Sequence, residues 1–204
     1  MAGEVEQSKG RAGARRAKLW LDRTTRVQAS FLNPDGVAVH KLTVKKANPK
    51  GNSKSFSFDL GGFMRGEEFK GQGFLAECKN YKNESDLPAH YRAFLAHCYR
   101  ARATNHFLAD HFFWISFSPH QSRAWDTHTT VESIQRAVMH SDLVDVNFLE
   151  DEDPKAEFSA EVAKEVSDNL WIIVLSDKQV DNLMLTRDHF ALIESEMIRN
   201  GVDF

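Results

Sequence analysis

Residues 111–117 read His-Phe-Phe-Trp-Ile-Ser-Phe, and no other segment constrains the fold as tightly. The run has strand length, is dominated by aromatic side chains and contains no Asp, Glu, Lys or Arg. A strand without a polar face must be covered on both sides, as a central strand of an α/β sheet is. A second run of the same kind, Leu-Trp-Ile-Ile-Val-Leu, occupies residues 170–175. A chain of 204 residues is long enough to enclose such strands in one hydrophobic core, burying roughly 70% of its unfolded surface.

The segments around these strands set an order. Residues 4–29 are expected to form a helix, with Lys9, Arg11, Arg15, Arg16 and Lys18 early in it and Leu19, Trp20 and Leu21 late. Asn33-Pro34-Asp35-Gly36 is a turn signal. Residues 37–44 alternate imperfectly and are expected as a strand, followed by a polar loop over 45–54. Phe56 and Phe58 alternate with Ser55, Ser57 and Asp59 in a strand expected over 55–60, and Gly61-Gly62 then reads as the start of a turn. In residues 73–81, Phe74, Ala76, Cys78 and Asn80 fall on one face, while Leu75, Glu77 and Lys79 fall on the other. A helix capped at Ser85 or Asp86 is expected to run to Arg102, with Leu87, Tyr91, Phe94, Leu95 and Cys98 as its apolar stripe. Helices over 130–140, 159–166 and 185–200 and the strand at 170–175 complete the chain. The expectation is a single α/β domain.

Charge is unevenly spread. Residues 1–58 hold 12 Lys+Arg against 4 Asp+Glu, and residues 109–204 hold 7 against 19, within a net charge of −3. A basic front and an acidic back suit a polyanion on one face only. No apolar run approaches membrane-spanning length and the N-terminus is polar from the start, so no membrane association and a cytoplasmic setting are expected. Two cysteines, Cys78 and Cys98, form no disulfide framework.

The chemistry concentrates in Asp59 and Glu77-Cys78-Lys79. Period two places Glu77 and Lys79 on the same face of one strand. If the strand ending at Asp59 pairs with it as an antiparallel hairpin through residues 61–73, Asp59 lies beside Glu77. Charged side chains within Phe-Leu-Ala-Glu-Cys-Lys-Asn-Tyr are costly unless they pair or hold an ion. Two carboxylates can hold a Mg²⁺ that keeps several waters, with the Cys78 carbonyl completing the shell. A lysine beside the ion can orient or deprotonate a water. That set of groups suits phosphodiester hydrolysis.

This arrangement resembles the PD-(D/E)xK nuclease superfamily, the group of restriction endonucleases and related DNA-processing enzymes. The resemblance rests on Asp59, a gap, Glu77-x-Lys79 on an apolar strand, and the order helix, three strands, helix, strand. It covers about residues 4–117. Phe58 stands where the superfamily name has Pro. The resemblance implies a restriction-endonuclease-like core (αβββαβ, a central mixed sheet flanked by helices) over residues 1–117. Residues 118–204 would be a C-terminal α/β extension packed on the same domain. It implies that Asp59 and Glu77 bind Mg²⁺ (or Mn²⁺) and that Lys79 acts on water. The substrate would be nucleic acid, DNA ahead of RNA, in restriction or anti-phage defence. Cutting both strands favours a homodimer or a partner subunit. Many members carry a Glu in the first helix; here Glu6 is the nearby candidate for an extra acidic residue.

Other contacts to nucleic acid are expected from the basic run Lys9, Arg11, Arg15 and Arg16, which can clamp a backbone, and from Asn80, Tyr81 and Lys82, which follow the motif. His120, Arg123 and Trp125 would lie in a loop near the site. The competing reading is a protein of the same fold without catalysis, which binds nucleic acid or a partner protein through its acidic half. Nine His show no zinc spacing. Acyl transfer by Cys98 with His97 or His90 is poorly arranged, because neighbours on a helix point about 100° apart. Cys78 falls on the face opposite Glu77 and is expected as a buried structural thiol.

Overall fold

The computed structural model describes residues 2–24, 26–36, 38–50, 53–80, 87–118 and 122–201, and their side chains except at 2–9 and 122–124. The architecture is α/β, with a mixed five-stranded sheet flanked by helices. Helix α1 (Ala2–Leu21) leads into β1 (Val27–Leu32). A short helix α2 (Ala38–Lys41) precedes a separate ribbon of β2 (Thr43–Lys50) and β3 (Ser53–Ser57). The main sheet resumes with β4 (Leu60–Met64) and β5 (Gly73–Lys79), crosses through α3 (Leu87–Ala103), and continues with β6 (His111–Ser116). Beyond it come α4 (Val131–Val138), α5 (Val144–Asn147), α6 (Pro154–Glu157) and α7 (Ala160–Asp168). Strand β7 (Leu170–Val174), α8 (Asp177–Asn182) and α9 (Arg187–Arg199) end the order.

The sheet runs β1-β4-β5-β6-β7. Strands β1, β4 and β5 are antiparallel neighbours; β5, β6 and β7 are parallel. The apolar run at 111–117 therefore occupies the middle of the parallel half, with every residue of β6 buried. Two apolar clusters cover it. On one face, Ala14, Ala17 and Leu21 of α1 pack on Phe74, Ala76, Cys78, Phe113 and Ile115. On the other, Tyr91, Phe94 and Leu95 of α3 pack on Leu75, Phe112 and Trp114. Both clusters also take residues from beyond 117: Ala163 and Val166 in the second, Leu175 and Val180 in the first.

Four expectations fail before residue 65. The first helix stops at Leu21 rather than 29. Thr24 donates its hydroxyl to the Leu21 carbonyl at 2.8 Å, satisfying one orphan acceptor of the helix end. Lys18 bonds Asp22 at 2.6 Å and Ser30 at 3.0 Å, and Ser30 also donates to Asp22, so the turn is tied to β1. Of the strand expected over 37–44, only Thr43 and Val44 are strand, at the start of β2; Ala38 begins a helical turn, with Leu42 N–H donating to the Ala38 carbonyl at 2.9 Å. Of the polar stretch expected as a loop over 45–54, residues 45–50 and 53–54 belong to the β2–β3 ribbon, whose hydrophilic composition reflects a largely solvated surface.

Gly61-Gly62 is the fourth. It lies inside β4 and makes no turn. A Cβ on Gly62 would stand 2.0 Å from the Ala29 carbonyl oxygen, and one on Gly61 would stand 2.4 Å from Leu42 Cδ2. The glycines let β1 and the buried Leu42 close onto β4, which is the other common use of Gly in a strand.

Candidate functional site

Asp59 lies between the ribbon and the sheet, one residue before β4. Its N–H donates to the Ala76 carbonyl at 3.1 Å, and its own carbonyl accepts from the Asn33 N–H at 2.9 Å. Asn33 Nδ2 also donates to the Phe58 carbonyl at 3.2 Å. The backbone at Asp59 is thus fixed from β5 on one side and from the turn after β1 on the other. The β4–β5 register pairs Leu60 with Ala76, so the next step brings Asp59 level with Glu77. The side chain reaches the same strand: Asp59 Oδ2 accepts from the Cys78 N–H at 2.9 Å.

Glu77 and Lys79 share the α3 face of β5 with Leu75, as strand alternation requires. They form an ion pair, Nζ to Oε1 at 2.7 Å, with 19% and 14% of their side-chain surfaces exposed. The pair sits at the solvent boundary at the end of the strand rather than in the core. On β6, Trp114 is in register with Glu77 and Ser116 with Lys79.

The electrostatics are those of a crowded anion pair. The Asp59 carboxyl is pushed up from 3.8 to about 7, first by burial and then by the Glu77 charge; the Cys78 N–H and Lys79 act in the opposite direction. Burial, followed by the charges of Asp59 and Glu77, drives the Cys78 thiol well above its ordinary range. Cys98 is raised in the same way, by burial and then by Glu77. Both cysteines are free and buried, environments that suppress thiolate chemistry.

Whether these residues suit a divalent cation can be judged from their donors. Among the described residues, no three His, Cys, Asp or Glu side chains converge into a ready-made cage. Mg²⁺ does not require one, since it commonly takes one or two carboxylates and fills its shell with water and phosphate oxygens. Asp59 and Glu77 provide two hard oxygen ligands whose mutual repulsion a cation would relieve. The Cys78 carbonyl is a third oxygen. In a strand the N–H and C=O of one residue point to the same edge; Cys78 N–H bonds Asp59, whereas the Lys79 carbonyl accepts from Phe117 on the β6 side at 2.9 Å. The donor set fits Mg²⁺ or Mn²⁺.

The other residues singled out in the sequence are dispersed. Helix α1 covers the opposite face of β5 from Glu77 and Lys79. Arg11 and Arg15 are exposed on it. Arg16 bonds Asp177 at 2.8 Å and lies over the Phe117 ring at 4.9 Å. Asn80 packs against α1, where a Cβ on Gly13 would stand 2.4 Å from Asn80 Cβ. The Glu6 and Lys9 side chains, Tyr81, Lys82, His120 and the Arg123 side chain lie outside the described residues.

Three neighbours of the site were not singled out for it. His97 stacks on Phe56 at 3.9 Å, and burial, then the charges of Lys46 and Lys79, bring its imidazole down to about 4. His97 is neutral at pH 7 and feels the charges of both Lys46 from the ribbon and Lys79 from β5. Lys46 was hidden in a segment read as loop. Asn33 was read only as a turn former, although it also holds the backbone on both sides of the Phe58–Asp59 peptide.

Comparison with protein-family models, with curated proteins and with solved structures returned no match.

Proposed function

We propose that this chain is a metal-dependent nuclease of the PD-(D/E)xK type that hydrolyses phosphodiester bonds, with DNA as the favoured substrate. One observation carries the reading: the Asp59 carboxylate, at the head of β4, lies on the β5 backbone beside Glu77 and Lys79. The helix, three antiparallel strands, helix and parallel strand formed by α1, β1, β4, β5, α3 and β6 agree with the core order of that superfamily, with the β2–β3 ribbon inserted. Asp59, Glu77 and the Cys78 carbonyl would hold Mg²⁺ or Mn²⁺. The ion would polarise the scissile phosphate and lower the pKa of a bound water. Lys79, beside Glu77, orients that water or offsets charge on the phosphate. Restriction or anti-phage defence is the biological setting, and the assembly that cuts both strands is a homodimer or a complex with a partner subunit.

The test is cleavage of supercoiled, linear and single-stranded DNA with Mg²⁺, Mn²⁺ or EDTA, using wild type, Asp59→Ala and Lys79→Ala, with circular dichroism as the folding control. The proposal expects metal-dependent cutting that both folded variants lose. Cutting that survives both substitutions would locate the active site elsewhere. A folded wild type that cuts no substrate would favour the non-catalytic binding role.

A further inference from the structure

A cavity of about 670 Å³ lies between α3 and α4, and neither Asp59 nor Glu77 lines it. Arg92, Arg136, His128 and His140 contribute to its wall, together with the hydroxyl-bearing Thr127 and Ser133. No Asp or Glu lines it among the described residues. That composition stands out, because residues 109–204, which supply six of the ten described lining residues, hold 19 Asp+Glu against 7 Lys+Arg. The apolar part of the lining is Tyr91, Leu95 and Ala137.

The polar groups are held in place by the fold. Arg136 Nη2 donates to Ser133 Oγ at 2.9 Å, and Ser133 Oγ donates to the Thr127 carbonyl at 2.6 Å. Tyr91 donates its hydroxyl to the His128 carbonyl at 2.9 Å, and the His128 ring meets Tyr91 at 5.3 Å and Trp125 at 6.0 Å. Trp125 keeps 44% of its surface exposed. Arg92 differs: its Nε is closed to solvent and has no acceptor, and the side chain makes no hydrogen bond or ion pair among the described residues. A desolvated guanidinium nitrogen without an acceptor is costly and is rarely left so. Arg92 lines the cavity, and no acidic side chain in the described wall balances its charge.

We propose that this cavity binds a phosphorylated nucleoside, with the phosphate taken by Arg92 and Arg136 and the sugar or base by Tyr91, Leu95 and Ala137. Guanidinium forks suit phosphate oxygens, and an aromatic ring such as that of Tyr91 suits a base. The volume is that of a small-ligand site and far exceeds what inorganic phosphate needs. A free nucleotide and the terminal nucleotide of a strand share this chemistry. The inference stands apart from the nuclease reading, because every group in it belongs to α3, α4 or the segments that flank α4.

Titration calorimetry in EDTA separates this site from any metal held by Asp59 and Glu77. The probes are adenosine 5′-monophosphate, adenosine, and a short deoxyoligonucleotide with and without a 5′-phosphate, with tryptophan fluorescence as a second readout. At least one phosphorylated probe is expected to bind tenfold or more tightly than its unphosphorylated counterpart. Arg92→Gln and Arg136→Gln should each weaken it by about tenfold or more, roughly one charge-assisted contact. Equal binding of monophosphate and oligonucleotide assigns a free-nucleotide site; tighter binding of the phosphorylated oligonucleotide assigns a strand end. The proposal is overturned if no probe binds, if adenosine and the unphosphorylated strand bind as well as their phosphorylated forms, or if both variants bind like wild type. Should Arg92→Gln not fold, Arg136→Gln and the phosphate dependence of wild type still decide.

Discussion

The two faces of β5 are built from alternate residues of one seven-residue strand, and they carry opposite kinds of chemistry. Toward α1, Phe74, Ala76 and Cys78 are buried against Ala14 and Ala17 in a contact with no charge. Toward α3, the same strand begins apolar at Leu75 and ends with Glu77 and Lys79, both in reach of solvent. The packed face fixes where the strand lies. The other face can then hold an ionic group at a defined point, with Asp59 brought to it by the β4 register. Charge at the strand end is tolerated because it is paired and hydrated, and the apolar face supplies the rigidity that such a site requires.

The largest expected effect comes from breaking the charged face. Glu77→Gln should lower metal-dependent DNA cleavage by roughly 10³-fold or more, the several kcal/mol that a bound metal contributes to the transition state. Circular dichroism should remain that of wild type. Next is the cost of holding Asp59. The folded carboxyl keeps its proton up to about 7, whereas the unfolded one releases it near 3.8. Between those values the native state binds more protons than the unfolded state, so stability falls as pH rises through the window. Urea unfolding in EDTA at pH 4 and pH 8 should show wild type losing stability relative to Asp59→Asn, with a ceiling of about 4 kcal/mol. A difference that does not change with pH would contradict the assignment of Asp59 as the strained member.

The packed face should respond to volume instead. Ala17 is fully buried, and Ala17→Leu should cost about 1–3 kcal/mol by overpacking the α1–β5 contact. The readout is a lower melting temperature, with cleavage by the folded fraction retained. The smallest effect is expected at the edge of that face. Arg16→Gln removes an exposed pair with Asp177 and should change stability by less than about 1 kcal/mol.

The contrast between the two faces was legible in the sequence because alternation within 73–81 is a local property. The helix starting near Leu87, the fully buried strand at 111–116 and the short strand at 170–174 were legible for the same reason. The first third of the chain was not. Val27, Gln28 and Ala29 can continue a helix or begin a strand, and what decides is the Lys18–Asp22–Ser30 network together with Gly62, which allows β1 to approach. Three strands were expected before the crossover and five form; three of these, β1, β4 and β5, join the main sheet, and neither β1 nor β4 was among the expected segments as such. Asp59 was expected at the end of a strand and is found at the head of the next. Its place beside Glu77 follows from the β4–β5 register, in which Leu60 faces Ala76. The cavity between α3 and α4 left no sequence signal, since Arg92 and Arg136 belong to separate helices that only packing brings together.

The most direct test of a cation held by Asp59 and Glu77 is a Mn²⁺ titration by calorimetry at pH 8, on wild type, Asp59→Asn and Glu77→Gln. The predicted result is saturable binding by wild type that weakens at least about tenfold in each variant, and that also weakens in wild type as pH falls below about 7, where Asp59 takes up its proton. Mn²⁺ affinity unchanged by both substitutions would contradict it.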